Sequence, residues 1–324
     1  MTATSYCDVR TFARNCVYLA LLIVVSVRSE VVEAVCNKTQ CLGPLSYYKA
    51  LGCKPVYKNP NDCCAEKYDC SFLKELSKDK CYVNGHEYNL GEKLRQEDGN
   101  PCDVECLCTK YEDEQAAMFL CAMVVCPYQA LEPGCYFNRS VYHCCNNYEE
   151  ICPGEDEQLP TCEVDGVIYK AGDSFEPKSD PDMTCYCMAG YTGENIEPFC
   201  KKPNKPYCAP LFHDADLVHR NCVPVYYDPE QSPQTDCSVM YRCQNKKDVV
   251  IHKHDSAKSV SDADNDMCRF GNMTMHMGDE VNQRNDYDSV CVKCVCEVPP
   301  VPTCKQLPSG ECDVTNHAPF GNNF

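Results

Sequence analysis

Thirty-two cysteines recur at fixed offsets, and that recurrence restricts the chain to small cross-linked repeats. The fullest copy runs Cys81, Cys102, Cys106, Cys108, Cys121, Cys126, Cys135, Cys144, Cys145, Cys152. Cys162 opens another copy 81 residues after Cys81, and the doublet Cys144-Cys145 lies 81 residues after Cys63-Cys64. A constant period with constant internal offsets marks a duplicated module. The second copy has eight cysteines: Cys162, Cys185, Cys187, Cys200, Cys208, Cys222, Cys237 and Cys243. Upstream, Cys36, Cys41, Cys53, Cys63, Cys64 and Cys70 match the back half of a unit; downstream, Cys268, Cys291, Cys294, Cys296, Cys304 and Cys312 match the front half.

The leading residues read as an export signal. Arg10 and Arg14 precede an apolar core over Val17–Val25, roughly 10 to 12 residues where a bilayer span needs about 20. Val32 and Ala34, with Ser29 as a second site, suit signal peptidase. Residues 1–34 are thus read as a signal peptide, with a short membrane anchor as the alternative, and a secreted, extracellular chain without a stable transmembrane anchor is expected. Removal of Cys7 and Cys16 leaves 30 cysteines, an even number that in an oxidising compartment predicts disulfides rather than zinc ligands. Trp is absent, and the longest later apolar run, Ala116–Val125, is broken by Cys121, so stapled modules are expected in place of one large core. Three sequons, at Asn37, Asn138 and Asn272, predict surface glycosylation.

The expected layout follows from register. Residues 35–80 form a partial back half, 81–152 a complete module, 153–243 a degenerate one, 244–267 an exposed cysteine-free linker, 268–312 a partial front half and 313–324 a flexible tail. Within 153–243, Pro181 stands where Cys102 would be and Asp236 where Cys144 would be. Unpaired thiols are a liability in an oxidising space, so their joint loss predicts a Cys102–Cys144 bridge. Each front half opens alike: Cys81 to Glu92 with Asn84-Gly85, Cys162 to Asp173 with Asp165-Gly166, and Cys268 to Asp279 with Gly271. Asn-Gly and Asp-Gly favour two-residue hairpin turns, because both turn positions take positive φ. The glycine ten positions after the first cysteine ends the returning strand or makes a bulge. Cys106-Leu-Cys108, Cys185-Tyr-Cys187 and Cys294-Val-Cys296 place two sulfurs on one face of a strand. Glu112–Met123 is read as a short helical turn, and the back halves as largely irregular.

The Cys-x3-Cys-x-Cys core, the later Cys-Cys-x6-Cys ending and the opening hairpin resemble the von Willebrand factor type C domain, a family that includes modules of chordin-like extracellular proteins. The resemblance covers 81–152 closely, 162–243 with two cysteines absent, and the ends as halves. It implies a small disulfide-rich, mainly β fold of tandem modules, each a short antiparallel hairpin sheet followed by an irregular lobe. It also implies the bridges Cys81–Cys108, Cys106–Cys121, Cys126–Cys145 and Cys135–Cys152, together with Cys102–Cys144. Several members bind bone morphogenetic proteins or related growth factors through the first lobe, and others serve in matrix assembly.

No motif supplies an oriented nucleophile, base and oxyanion site, so no enzyme and no cofactor are expected. His86 and His143 have no cysteine free for catalysis. His252-Lys253-His254 and the acids Asp262, Asp264 and Asp266 are read as incidental to a polar linker, the latter lacking the glycine and terminal glutamate of a calcium loop. A formal charge of −18 disfavours nucleic acid and anionic membrane and would assist contact with a basic protein partner, with simple solubility as the competing reading of the scattered acids. Val83, Tyr88, Val164, Ile168 and Tyr169, around the first two hairpins, are the candidate protein-binding residues; packing on the adjacent strand is the competing reading. The leading expectation is an array of binding modules that modulates a growth-factor-like ligand outside the cell. A structural matrix or secreted-fluid protein is the alternative, and a protease inhibitor a third.

Overall fold

The computed structural model describes residues 36–145, 149–154, 157–228, 230–238, 240–252, 266–282 and 290–313. The chain divides into two units, 1–38 and 39–324, and the elements below belong to the second. Its fold is disulfide-rich and mainly β: short antiparallel pairs, one three-stranded and one six-stranded sheet, and a few short helices. Every described cysteine is disulfide-bonded. No helix among the described residues is long and apolar enough to cross a membrane. The predicted signal peptide over 1–34 lies outside the described residues.

The three front halves repeat one geometry. Hairpins pair Lys80–Val83 with His86–Asn89, Thr161–Val164 with Val167–Lys170, and Cys268–Phe270 with Met273–Met275. Asn84, Gly85, Asp165 and Gly166 all take positive φ, the mirror-image turn that matches strand twist. Gly91, Gly172 and Gly278 share a left-handed φ of 86°, 88° and 89°. That conformation lets each donate its N–H to the last cysteine of the Cys-x-Cys strand, Cys108, Cys187 or Cys296, at 2.9, 2.7 and 2.8 Å. The next residue, Glu92, Asp173 or Asp279, turns its carboxylate back onto the N–H of Asn89, Lys170 or His276. Local chemistry of this kind is set by residue type at fixed offset, which is why it survives in all three copies.

Bridges close each segment on itself. Cys81–Cys108, Cys106–Cys121, Cys102–Cys144, Cys126–Cys145 and Cys135–Cys152 staple residues 81–152. Cys162–Cys187, Cys185–Cys200, Cys208–Cys237 and Cys222–Cys243 staple the next copy. Cys41–Cys64 and Cys53–Cys70 repeat the pairing of the back halves. Cys268–Cys296 and Cys294–Cys304 repeat that of the front halves, while Cys291 pairs locally with Cys312.

Packing between segments departs from a string of beads. The six-stranded sheet runs in the spatial order Met240–Arg242, Val223–Tyr226, Thr303–Gln306, Val292–Val295, Glu280–Val281, Val250–Ile251. It thus joins the back of the degenerate module to the terminal front half, through a parallel pairing of Val225 and Tyr226 with Cys304 and Lys305. Val223, Val225, Phe270, Met275, Val281 and Val292 form a buried core on it with four half-cystines. Residues 244–252, expected to be exposed linker, belong to this assembly: Val250–Ile251 is its edge strand, and the Asp248 carboxylate pairs with Arg242 at 2.7 Å with both side chains buried. Arg242 also lies over the Phe270 ring and donates to Cys294 Sγ. Desolvating such a pair is costly unless it is well bonded, so the pair fixes the geometry of the joint. His254, Asp262 and Asp264, and the tail beyond Asp313, lie outside the described residues.

Two of the back halves hold more helix than expected. Leu45–Leu51 is a helix whose Tyr47, Tyr48 and Leu51 share one buried face, and it ends at Gly52 with φ 81°. Pro210–His213 and Ala215–His219 are its counterparts, with proline opening the first. Matching stretches surround them: Pro44-Leu45 and Cys53-Lys-Pro-Val-Tyr57 against Pro210-Leu211 and Cys222-Val-Pro-Val-Tyr226. Conversely, Glu112–Met123 contains the strand Met118–Ala122, not a helical turn, because register on Val104–Thr109 outweighs the helix-forming residues at its start. The first back half docks on the last front half. Tyr48 is fully buried; its hydroxyl donates to the Val298 carbonyl at 2.6 Å and accepts the Val301 N–H at 2.8 Å. The Tyr68 N–H adds a bond to Pro299 at 2.9 Å.

Candidate functional site

The first hairpin of the complete module is not a free surface. Period-two alternation points Val83 and Tyr88 inward with Cys81, Cys106, Cys108 and Phe119. Phe212, from the helix Pro210–His213, closes that cluster by stacking on Phe119 at 4.6 Å. The turn is held from the same side: Asn84 Nδ2 donates to the Asn204 carbonyl at 2.8 Å, and Lys205 pairs with Asp103 at 3.1 Å while lying over Phe212. Asp98 sits buried beneath the turn, accepting from the Tyr88 hydroxyl, His86 Nδ1 at 2.8 Å and Asn84 Nδ2 at 3.2 Å. Burial by itself would raise the Asp98 pKa; the bonds from Tyr88, His86 and Asn84 outweigh it and hold the carboxyl below its ordinary value. Burial, and then the Asp98 contact, push the Tyr88 phenol up to about 12. These bonds tie the hairpin turn to Asp98 and position it.

The second hairpin divides its candidates. Val164 is buried beside Phe175, and Tyr169 is half-buried against the same cluster, 5.1 Å from the Phe175 ring. Ile168 faces solvent, 70% exposed, with Val167 beside it. Of the five sequence-derived binding residues, the structure leaves Ile168 on an open surface and puts Val83, Tyr88 and Val164 into cores. Their apolar character serves packing, and for these three the competing reading prevails.

A different apolar surface lies on the opposite face of the complete module. Leu107 and Leu120 pair in register on the strands Val104–Thr109 and Met118–Ala122, pointing away from Cys106 and Cys108. Val104 adjoins them, and the chain continues through Met123, Val125 and Tyr128, which are 89%, 79% and 93% exposed. Leu120 itself is 48% exposed. In the next copy the equivalent positions are Tyr186 and Phe199, and they pack against the preceding back half through Tyr136 and Ile151. In the last copy they are Val295 and Thr303, enclosed within the six-stranded sheet, with Thr303 only 3% exposed. In the second copy this face is covered by another segment, and in the last copy Thr303 is buried and Val295 half-buried. On the complete module it stays bare because the preceding back half is engaged through Tyr48 with Val298 and Val301. The strand Met118–Ala122 also pairs on one side alone among the described residues, so its outer edge can accept a further strand. In the sequence Ala116–Val125 is the longest apolar run after the signal-like segment, and nothing local to it specifies its outward face. Comparison of the residues at Leu107, Tyr186 and Val295 was the signal available.

Four groups of side chains bring metal-type ligands close together, such as Asp103 with Cys106 and Cys121, or Glu150 with Cys135 and Cys152. All their sulfurs are in disulfides, which offer no thiolate to a metal. His252 Nδ1 instead meets Asp279 at 2.9 Å, and Asp266 meets Lys67 at 2.5 Å. Asn37, Asn138 and Asn272 are all exposed. Searches against protein-family models, curated proteins and solved structures find no match to the chain.

Proposed function

We propose that the chain is an exported array of von Willebrand type C-like modules that captures an extracellular protein, of the growth-factor class that the resemblance implies. The signal-like residues 1–34, the extensive cross-linking and the exposed sequon asparagines all support export and glycosylation. The observation that carries the binding reading is the exposed Leu107–Leu120 pair, with Met123, Val125 and Tyr128 exposed further along the chain, where the counterparts of the pair are buried or half-buried in the other two copies. Exposed apolar side chains of this kind are common anchors of a protein interface. The charge of −18 selects a partner with basic surroundings and speeds encounter. The chain acts by occupancy: a ligand bound here has its own receptor surface covered or its diffusion restricted.

The test is binding of the full secreted chain to an immobilised bone morphogenetic protein. Saturable one-to-one binding is expected, weakened at least tenfold by Leu120→Arg and left within twofold by Ile168→Ala. Absence of saturable binding to this ligand class, or equal binding by Leu120→Arg, would reject the proposal.

A further inference from the structure

A junction of three segments forms a cavity that the protein-binding reading does not use. It has a volume of about 460 Å³, within the range of small-molecule sites. Three segments distant in sequence build it: the first back half, the helices Pro210–His213 and Ala215–His219, and the last front half. Leu51, Val56, Leu73, Leu211, Val218 and Val301 line its walls. All but Leu51 are only half-buried, so the cavity leaves aliphatic surface in contact with water that an apolar ligand would remove.

The polar lining reverses the charge of the whole protein. Lys67, Lys74 and Arg269 line the cavity against the single carboxylate of Asp69, in a chain with 48 acidic and 30 basic residues. Asp69 is turned toward the Ser71 N–H at 2.9 Å, and Lys67 is bridged to Asp266. Lys74 stands exposed at the rim. Apolar walls beneath a cationic rim complement one kind of molecule. We propose that this cavity binds a single-chain amphiphilic anion, with its hydrocarbon chain between Leu73, Val218 and Val301 and its acidic head at Lys74 and Arg269.

The test uses dodecanoate below its micelle concentration, titrated calorimetrically into the full secreted chain, with dodecyltrimethylammonium as the charge-reversed probe. The expected result is one saturable site for dodecanoate and at least tenfold weaker binding of the cation. Shortening the probe to decanoate should weaken binding about tenfold, since each buried methylene contributes about 0.8 kcal/mol. Leu73→Trp, checked for native bridges by mass mapping, fills the cavity and should abolish binding. Lys74→Glu, exposed and so harmless to folding, should weaken it at least fivefold. Leu120→Arg should leave it unchanged, which separates this site from the open apolar face. No saturation, equal affinity for the two head groups, unaltered binding by Lys74→Glu or by folded Leu73→Trp, or loss of binding in Leu120→Arg would each overturn the proposal.

Discussion

The complete module and the composite region around the six-stranded sheet solve the same problem by different means. The back half of the complete module has as regular structure only the two-residue pair Tyr136–Phe137 with Glu150–Ile151 among the described residues, and it is held by Cys102–Cys144, Cys126–Cys145 and Cys135–Cys152. In the composite region the bridges still lie within segments, but what joins one segment to another is a buried core of Val223, Val225, Phe270, Met275 and Val292, with the Arg242–Asp248 pair sealed into it. Disulfides define the local shapes, and apolar burial decides which shapes go together. A split module can therefore be completed by whichever front half presents a matching core. Here the residues around Tyr48 are matched by Val298 and Val301, at the far end of the chain.

The largest expected effect separates the two regions directly. Phe270 is fully buried in the composite core, so Phe270→Ala should cost about 3–5 kcal/mol. Native-state hydrogen exchange should show lost protection across Val223–Tyr226, Val292–Val295 and Thr303–Gln306, with the strands Val104–Thr109 and Met118–Ala122 keeping theirs. Uniform loss over both regions would mean that they fold as one cooperative unit, and the contrast would fail.

Removing a staple probes the other side. Cys102 and Cys144 are 42 residues apart, and their counterparts in the next copy are Pro181 and Asp236, so the bridge is dispensable to the module type. The double variant Cys102→Ser/Cys144→Ser should cost about 2–4 kcal/mol, mainly by freeing the unfolded chain. That loss should appear as earlier denaturant unfolding of residues 126–152, with the composite core unaffected. If the composite core weakened equally, the bridge would be stabilising contacts beyond its own module.

These expectations also mark where sequence could and could not reach. The hairpins, the Cys-x-Cys faces and the turn glycines are local: Asn84-Gly85 specifies its turn from two residues, and Gly91 its bond to Cys108 from one. The joint absence of Cys102 and Cys144 equivalents pointed to their pairing because covariation of cysteines reports a covalent fact. Contacts such as Tyr48 with Val298, 250 residues apart, have no spacing signature. Val83 and Tyr88 looked like surface residues of a two-stranded ribbon because nothing in their neighbourhood announces Phe212 as the lid. The helix Leu45–Leu51 was within reach through its likeness to the stretch after Cys208, which the irregular cysteine spacing obscured.

The smallest effect concerns the turn that docks the complete module on residues 204–205. Asp98 has a lower pKa folded than unfolded, where a free aspartate titrates near about 3.9. A group of this sign contributes its full stabilisation above the unfolded value, and the contribution disappears as pH falls through the folded one. Acidification from about pH 5 downward should therefore loosen the hairpin Lys80–Asn89, as Tyr88 and His86 lose a charged acceptor. The Tyr88 ring resonances followed by NMR should shift in this window, and Asp98→Asn should flatten the response while lowering stability at pH 7. An unchanged acid transition in Asp98→Asn would assign it to other carboxylates and remove the turn from the devices that distinguish this module from the composite core.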